Sequence, residues 1–470
     1  MQNLIKDCLS CAAERAPGYY TARVGNDDYL VITGKNDLPF DVLVAEGDTK
    51  VCPQNNKNAN LLRGQIAYLN PVSRKGHKFT IGLGDRLGCA GEGHLKLLAG
   101  KGIFPVLAQQ SIRELNLTGR TYEDVLASAV WAVFNEGYTD GYGTDGDHLK
   151  QPFEIEYAIA CGFSMITLDC SEHIDNTIMS LDDAALVAKY EKISPAIRKA
   201  YEDKYLSSTE CGIAFTKKSL MQSALIYGDA IEYTEMIYNR FIKPNGIDFE
   251  MSIDETATPT SPENHFFLAS ELYARGIECE TLAPRFCGEF QKGIDYIGDV
   301  AQLEKEYIVH DRIAQHFGYR VSVHSGSDKF SVFPVVHKVS TGGVHVKTAG
   351  TNWLEALRVI AKLDPTLIRE MYVYAVENLP IAQAYYHIRP SQADAPSVEN
   401  MPDSQLPTLL DMEDTRQILH ITYGLLLNEK CDGEYVFKDR LYDCLKNNRA
   451  AYADGLGVHI GKHLALAFGV

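Results

Sequence analysis

Between residues 79 and 347 the chain alternates short strand-like patterns with longer stretches of helical period. Val321 and Val323 alternate with Ser322 and His324. Phe249, Met251 and Ile253 alternate with Glu250, Ser252 and Asp254, and Val344 and Val346 with His345 and Lys347. A period of two sends side chains to opposite sides of a strand, so each segment predicts one apolar and one polar face. The runs 79–84, 104–108, 163–168 and 280–285 are short, apolar and bounded by polar residues, as buried strands are. Helical period marks 263–275 and 121–136. In the latter Thr121 serves as N-cap, Asp124 reaches back, Val125, Ala129, Ala132 and Val133 form a stripe, and Gly137 ends the helix. The segment 141–150, GYGTDGDHLK, carries glycines expected to interrupt any regular element, and crowds Asp145, Asp147 and His148 together.

Counted together with 141–150, the strand-like segments make eight units, six of them separated from the next by a helix-length interval. That pattern predicts the α/β class and a (β/α)8 TIM-type barrel over 76–365. A largely helical interruption at about 180–240 is expected outside the barrel or over its mouth. Residues 1–75 mix strand-like pieces at 29–33 and 40–45 with a turn-rich stretch at 54–60, which predicts a small α+β region. Residues 366–470 are mostly helical in pattern, clearest at 367–376 and 415–427, with a connection at 402–407. This extension either covers the barrel or makes the contact of a homo-oligomer.

Composition narrows the function classes. The net charge of −17 repels phosphate backbones and anionic membranes, and no basic patch overrides it, so neither nucleic acid nor membrane is an expected partner. The stretch MQNLIKDCLSCAAERAPGYY lacks a basic segment followed by an apolar run, and the expectation is a cytoplasmic protein. The cysteines number 11 and lie scattered in apolar contexts such as IACGF, which reads as buried thiols. One CxxC, Cys8 to Cys11, has no second pair at metal-binding spacing.

Candidate chemistry sits at the strand ends. In a barrel of this kind the loops after the strands line one mouth, and groups distant in the chain converge there. Asp85 and Arg86, Gln109 and Gln110, Asp147 and His148, Asp169 and His173, Glu250 and Asp254, Arg285 and Glu289, His324 and Lys329, and His345 and Lys347 all occupy such positions. Gathering so many ionisable groups is costly without a ligand or metal. His148, His324 and His345, with carboxylates such as Glu289 or Asp254, make a nitrogen and oxygen donor set suited to Zn, Mn, Co, Ni or Fe. Arg86, Arg285, Lys329 and Lys347 form a local cationic cluster suited to a small anionic or polyhydroxylated substrate, with Gln110 as a further polar contact.

The motifs GLGDRLG (82–88), FPVLAQQSIRELNLTGRTYEDVL (104–126), GYGTDGDHLK (141–150), SIDETATPTSP (252–262), KGIDYIGD (292–299), VHSGSDKFS (323–331) and HVKTAGT (345–351) resemble those of the tagaturonate epimerase family, as does LHITYG (419–424). The first 75 residues carry no such motif. The resemblance implies a divalent-metal enzyme interconverting D-tagaturonate and D-fructuronate, with relatives acting on the neutral ketohexoses tagatose and fructose. It implies Asp147 as proton acceptor, Glu250 as proton donor, and His148 and His324 as metal ligands. Glu289 is preferred as the third ligand for its place just beyond the sixth strand, with His345 as competitor. The inverted carbon, C4, lies β to the ketone, so its hydrogen is not acidified, and retro-aldol cleavage with re-addition is the expected route. Two other classes stay open: a lyase releasing the fragments, and a barrel that binds sugar acids without turnover.

Overall fold

The computed structural model describes residues 2–386 and 388–470. Eight parallel strands close into a barrel in sequential order: β1 (Phe79–Leu83), β2 (Phe104–Gln110), β3 (Gly143–Leu149), β4 (Met165–Asp169), β5 (Asp248–Ile253), β6 (Thr281–Pro284), β7 (Arg320–Val323) and β8 (Val344–Thr348). Closure is made by β8 on β1, with Val344 opposite Phe79 and Thr348 opposite Leu83. The expected α/β barrel is therefore what the chain forms.

The alternation in β5 does what its period requires: Phe249 and Met251 join the apolar layer between strands and helices, while Glu250 faces the interior. That interior is polar. Thr80 meets His345 at 2.7 Å, Thr167 meets Asp145 at 2.9 Å, and Gln109 donates to Asp147 at 3.1 Å, all buried. Barrel cores are commonly filled by branched apolar side chains; here they hold a charged network.

The helix Tyr122–Glu136 forms as its residues dictate, with Thr121 and Asp124 in a reciprocal capping box and Gly137 left-handed at its end. Between β4 and β5 lie helices Asp183–Tyr190, Pro195–Tyr205 and Lys217–Ile237, and the last packs against helix Pro262–Ala274 on the barrel's outside. Three expectations are corrected. Residues 141–150 are not interrupted by their glycines: Gly143 and Gly146 lie within β3, whose pairing with β4 shifts register between Gly146 and Leu149. The stretch 54–60 is not a turn-rich connection but begins helix Asn56–Arg63, because the Asn55 side chain accepts from the Asn58 amide. The piece at 40–45 is irregular until the short strand Val44–Glu46, part of a five-stranded antiparallel sheet that precedes the barrel.

The C-terminal helices build a second apolar core around Trp353, Leu357, Met371, Leu409 and Leu456, and the long helix Arg449–Phe468 packs on helices Gly91–Leu98 and Thr351–Leu363. Among the described residues no helix is long and apolar enough to cross a membrane.

Candidate active site

At the carboxyl ends of the strands, His148, His324 and Asp254 meet. His148 closes β3 with φ 52°, a left-handed conformation unusual outside glycine, and the shifted register next to it turns its ring toward the barrel mouth. His324 and Asp254 follow β7 and β5 directly. Nε2 of His148 lies 3.2 Å from Nδ1 of His324 and 3.4 Å from Oδ1 of Asp254, and the latter two atoms are 3.1 Å apart.

The opposite ring nitrogens explain this convergence. His148 Nδ1 meets Asp147 Oδ1 at 2.8 Å, and His324 Nε2 meets Glu250 Oε1 at 2.7 Å. An ionised carboxylate only accepts, so each of these nitrogens carries its ring's proton in the neutral histidine. The two remaining lone pairs and the Asp254 carboxylate then face one another. A tetrahedral cation with bonds of about 2.0–2.1 Å holds its ligand atoms about 3.3–3.4 Å apart. The donor set therefore fits a divalent cation of the nitrogen- and oxygen-binding kind, with at least one coordination position left for a ligand.

Charge balance points the same way. Beneath the histidines Lys347 Nζ lies 2.7 Å from Asp145, 2.8 Å from Asp147 and 2.7 Å from Glu250. Lys347 thus serves three buried carboxylates, Arg74 is a second buried cation 3.6 Å from Glu250, and Asp254 is a fourth carboxylate nearby. Burial alone would raise the carboxyl pKa values; against it, Lys347 and the histidines hold Asp147 and Glu250 well below the usual range. For Asp145 burial prevails over Lys347, and its pKa is raised. Burial would depress both imidazoles, yet Asp147 with Asp254 raises His148 well above its ordinary value, and Asp254 raises His324. Positive charge, whether a proton on an imidazole or a bound cation, is therefore favoured where the three ligand atoms meet.

A recess of about 50 Å³ opens over this cluster, lined among others by Arg86, Gln109, Asp147, His148, Asp254, His324 and Lys347. It adjoins a wider recess of about 370 Å³, and the two share Asp254, Glu255, Lys292, His324 and Ser325. Arg86 is held by Glu114 at 3.0 Å and lies 3.7 Å from the centre of the Tyr423 ring. Glu250 is fully buried behind His324 and Lys347 and does not line the recess; Asp147 does.

Several expected residues lie elsewhere. Glu289 is exposed on the wall of the wider recess, with its carboxylate 2.5 Å from the Gln291 amide, and does not join the two histidines; Asp254 takes that place. The loop after β6 carries Glu289 outward, whereas Asp254 directly follows β5. His345, its competitor, sits deeper in the barrel against Thr80. Gln110 is fully buried but does not line the recess, because alternation along β2 gives the inward position to Gln109. Arg285 lines the wider recess and donates to the Thr256 carbonyl. Lys329 is fully buried and donates to the carbonyls of Ser327 (3.0 Å), Gln291 (2.8 Å) and Ile294 (2.6 Å), so it fastens loops and has no hydrogen left for a substrate. Residues the sequence reading passed over are His420, Tyr386, Lys292 and Arg113, all at the recess. Three of them carried a signal, since Lys292 opens the motif KGIDYIGD, His420 lies in LHITYG and Arg113 lies in the motif at 104–126.

A second group, Asp328, His459 and His463, also brings three ligand atoms within 4.8 Å of one another. Both ring nitrogens of His463 are already engaged, Nδ1 with the His459 carbonyl and Nε2 with the Asp328 amide, and Asp328 pairs with Arg416 at 2.7 Å. This group ties the turn after β7 to the C-terminal helix.

The tagaturonate epimerase family matches residues 10–467. A tagaturonate/fructuronate epimerase of Thermotoga maritima is 42% identical over 423 residues, covering 89% of this chain and 86% of that protein. Crystal structures of fructuronate-tagaturonate epimerase UxaE from Cohnella laeviribosi, native and with one glycerol bound, superpose with TM-score 0.95 at 44% identity over 99% of both chains. A barrel with this polar interior, closed by the same C-terminal helices and matched over nearly its full length, belongs to the tagaturonate epimerase family.

Proposed function

We propose that the protein interconverts D-tagaturonate and D-fructuronate by inverting C4, with a divalent cation held by His148, His324 and Asp254. The observation that carries this reading is the orientation of the two imidazoles: each donates away to a carboxylate, leaving lone pairs 3.2 Å apart beside Asp254. The cation, when bound, supplies a Lewis acid that offsets negative charge gathering on the ketone oxygen.

The chain's own groups move the protons. Asp147, which lines the recess, accepts the proton of the C4 hydroxyl. The C4–O bond then becomes a carbonyl, the C3–C4 bond breaks, and its electron pair passes toward C2 and the former ketone oxygen. Rotation of the released aldehyde and re-addition on its other face invert C4, and the new alkoxide takes a proton from the opposite side. Glu250 is the second acid/base group. Its Oε1 lies 2.7 Å from Lys347 Nζ, which lines the recess and also lies 2.8 Å from Asp147, so the ammonium beside Glu250 gives the alkoxide its proton and recovers the one Asp147 took up, returning the three groups to their starting state.

The test is NMR of D-tagaturonate incubated with the protein. The expected result is D-fructuronate at equilibrium, with turnover falling about 10²- to 10⁴-fold in Asp147→Asn and in Glu250→Gln while both retain metal at saturating concentration. Substantial activity in either variant rejects its assignment. Accumulating three-carbon fragments identify a lyase, and affinity without conversion a binding protein.

A further inference from the structure

Lys292 stands apart among the cations at the recess. Arg86 is neutralised by Glu114 at 3.0 Å, Lys347 by three carboxylates, and Arg113 faces Glu255 at 3.8 Å. Among the described residues Lys292 has no carboxylate within 4.0 Å. Its Nζ donates to Ser325 Oγ at 2.9 Å, and that hydroxyl, having accepted, has its own hydrogen to give. Lys292 and Ser325 line both recesses, so the pair marks the point where a ligand anchored on the histidine cluster extends outward.

The loop bearing Lys292 is held from three directions. Lys329 Nζ binds the carbonyls of Gln291 and Ile294, Arg416 Nε donates to the Gly293 carbonyl at 2.8 Å, and Gln417 Nε2 lies 3.3 Å from the Lys292 carbonyl. Gly293 has φ 77°, a left-handed conformation that favours glycine, and packs against the Arg416 carbonyl and the His420 side chain. Two buried cations and an amide thus fix one short backbone stretch, which carries a half-buried ammonium at the site. A fixed ammonium costs less ordering on binding than a mobile one. Beside it, His420 lines the recess with its Nδ1 buried and without a hydrogen-bond partner among the described residues.

We infer that Lys292 and Ser325 form the subsite for the substrate's terminal carboxylate and set the preference for a uronate over a neutral ketohexose. This rests on the epimerase reading for the substrate class. The ketone end occupies the histidine cluster, and the C6 carboxylate, at the other end of the chain, meets the Lys292 ammonium and the Ser325 hydroxyl. A neutral hexose would present a hydroxymethyl group there and leave the ammonium without an anion.

The experiment measures binding of D-tagaturonate and D-tagatose to the metal-loaded protein by calorimetry, alongside turnover, for wild type, Lys292→Gln, Lys292→Arg and Arg113→Gln. Loss of one charge-assisted contact is expected to lower the affinity ratio of tagaturonate over tagatose about 10- to 100-fold in Lys292→Gln. Lys292→Arg should recover most of that ratio. An unchanged ratio in Lys292→Gln, equal loss of both ligands, or a fall confined to Arg113→Gln overturns the inference. Lys292-dependent uronate binding without interconversion would sink the epimerase reading and leave this one standing.

Discussion

Replacing Asp254 by Asn separates the geometric assignment of the third metal ligand from the one suggested by chain position. Oδ1 of Asp254 lies 3.1 Å from His324 Nδ1 and 3.4 Å from His148 Nε2, so the substitution preserves shape and removes one negative charge from the ligand face. A dication and a unit charge about 3 Å apart attract by about 11 kcal/mol at an effective dielectric constant of 20. Dehydration of both ions offsets most of this, and removing one partner of a buried charged pair costs about 3–5 kcal/mol. Metal affinity should therefore fall about 10²- to 10⁴-fold. Glu289→Gln, at an exposed carboxylate bonded to Gln291, should change it by no more than about twofold. Titrating chelator-stripped protein with Zn or Mn by calorimetry, with metal content checked by mass spectrometry, reads both numbers. Asp254→Asn within threefold of wild type, or Glu289→Gln losing the metal, would refute the assignment.

Lys329→Met leaves the carbonyls of Gln291, Ile294 and Ser327 short of a donor and should cost about 2–4 kcal/mol in urea denaturation, while weakening uronate binding through the loosened Lys292 loop. A Cβ at Gly350 would stand 1.6 Å from His420 Nε2, so Gly350→Ala should displace that ring and cut turnover at least tenfold with the melting temperature little changed, as read by kinetics and calorimetry. Burial raises the Asp311 pKa from 3.8 to about 6. The folded state then binds the proton more tightly than the unfolded one, so this group's contribution is full below about pH 4 and is lost as pH rises through 6. Asp311→Asn should accordingly be more stable than wild type at pH 7 by about 1–2 kcal/mol, allowing for solvent screening, with the gap closing toward pH 4 in denaturant titrations.

The barrel was legible because the period-two segments at 249–254, 321–324 and 344–347 leave no other way to bury their apolar faces, and parallel strands separated by helices close in order. The convergence of His148 and His324 follows from the same rule, since both stand at strand ends. What alternation decides was legible only when counted in register: Gln109 and Gln110 are neighbours in sequence, and the pleat alone selects the first. Glu289 and Lys329 lie in loops, where no period governs direction, and composition cannot tell a lysine that clamps carbonyls from one that faces a substrate. His420 comes from the C-terminal helix Glu413–Ile421 and Tyr386 from the loop after helix Leu379–Ala382, and the docking of this region on the mouth is tertiary and leaves no local mark beyond the motif around His420. The strand at 143–149 was hidden by glycines that read as interruptions. Gly146 is needed there because a Cβ would meet Ile166, Leu149 and Ala158 at 3.0–3.1 Å.

Metal removal asks directly whether the imidazole pair and Asp254 hold a cation on which sugar inversion depends. Wild-type protein, dialysed against chelator until metal-free and then given D-tagaturonate, should form no D-fructuronate, and stoichiometric Zn, Mn, Co, Ni or Fe should restore the reaction. Undiminished conversion by protein shown to hold less than a few hundredths of an equivalent of metal would contradict it.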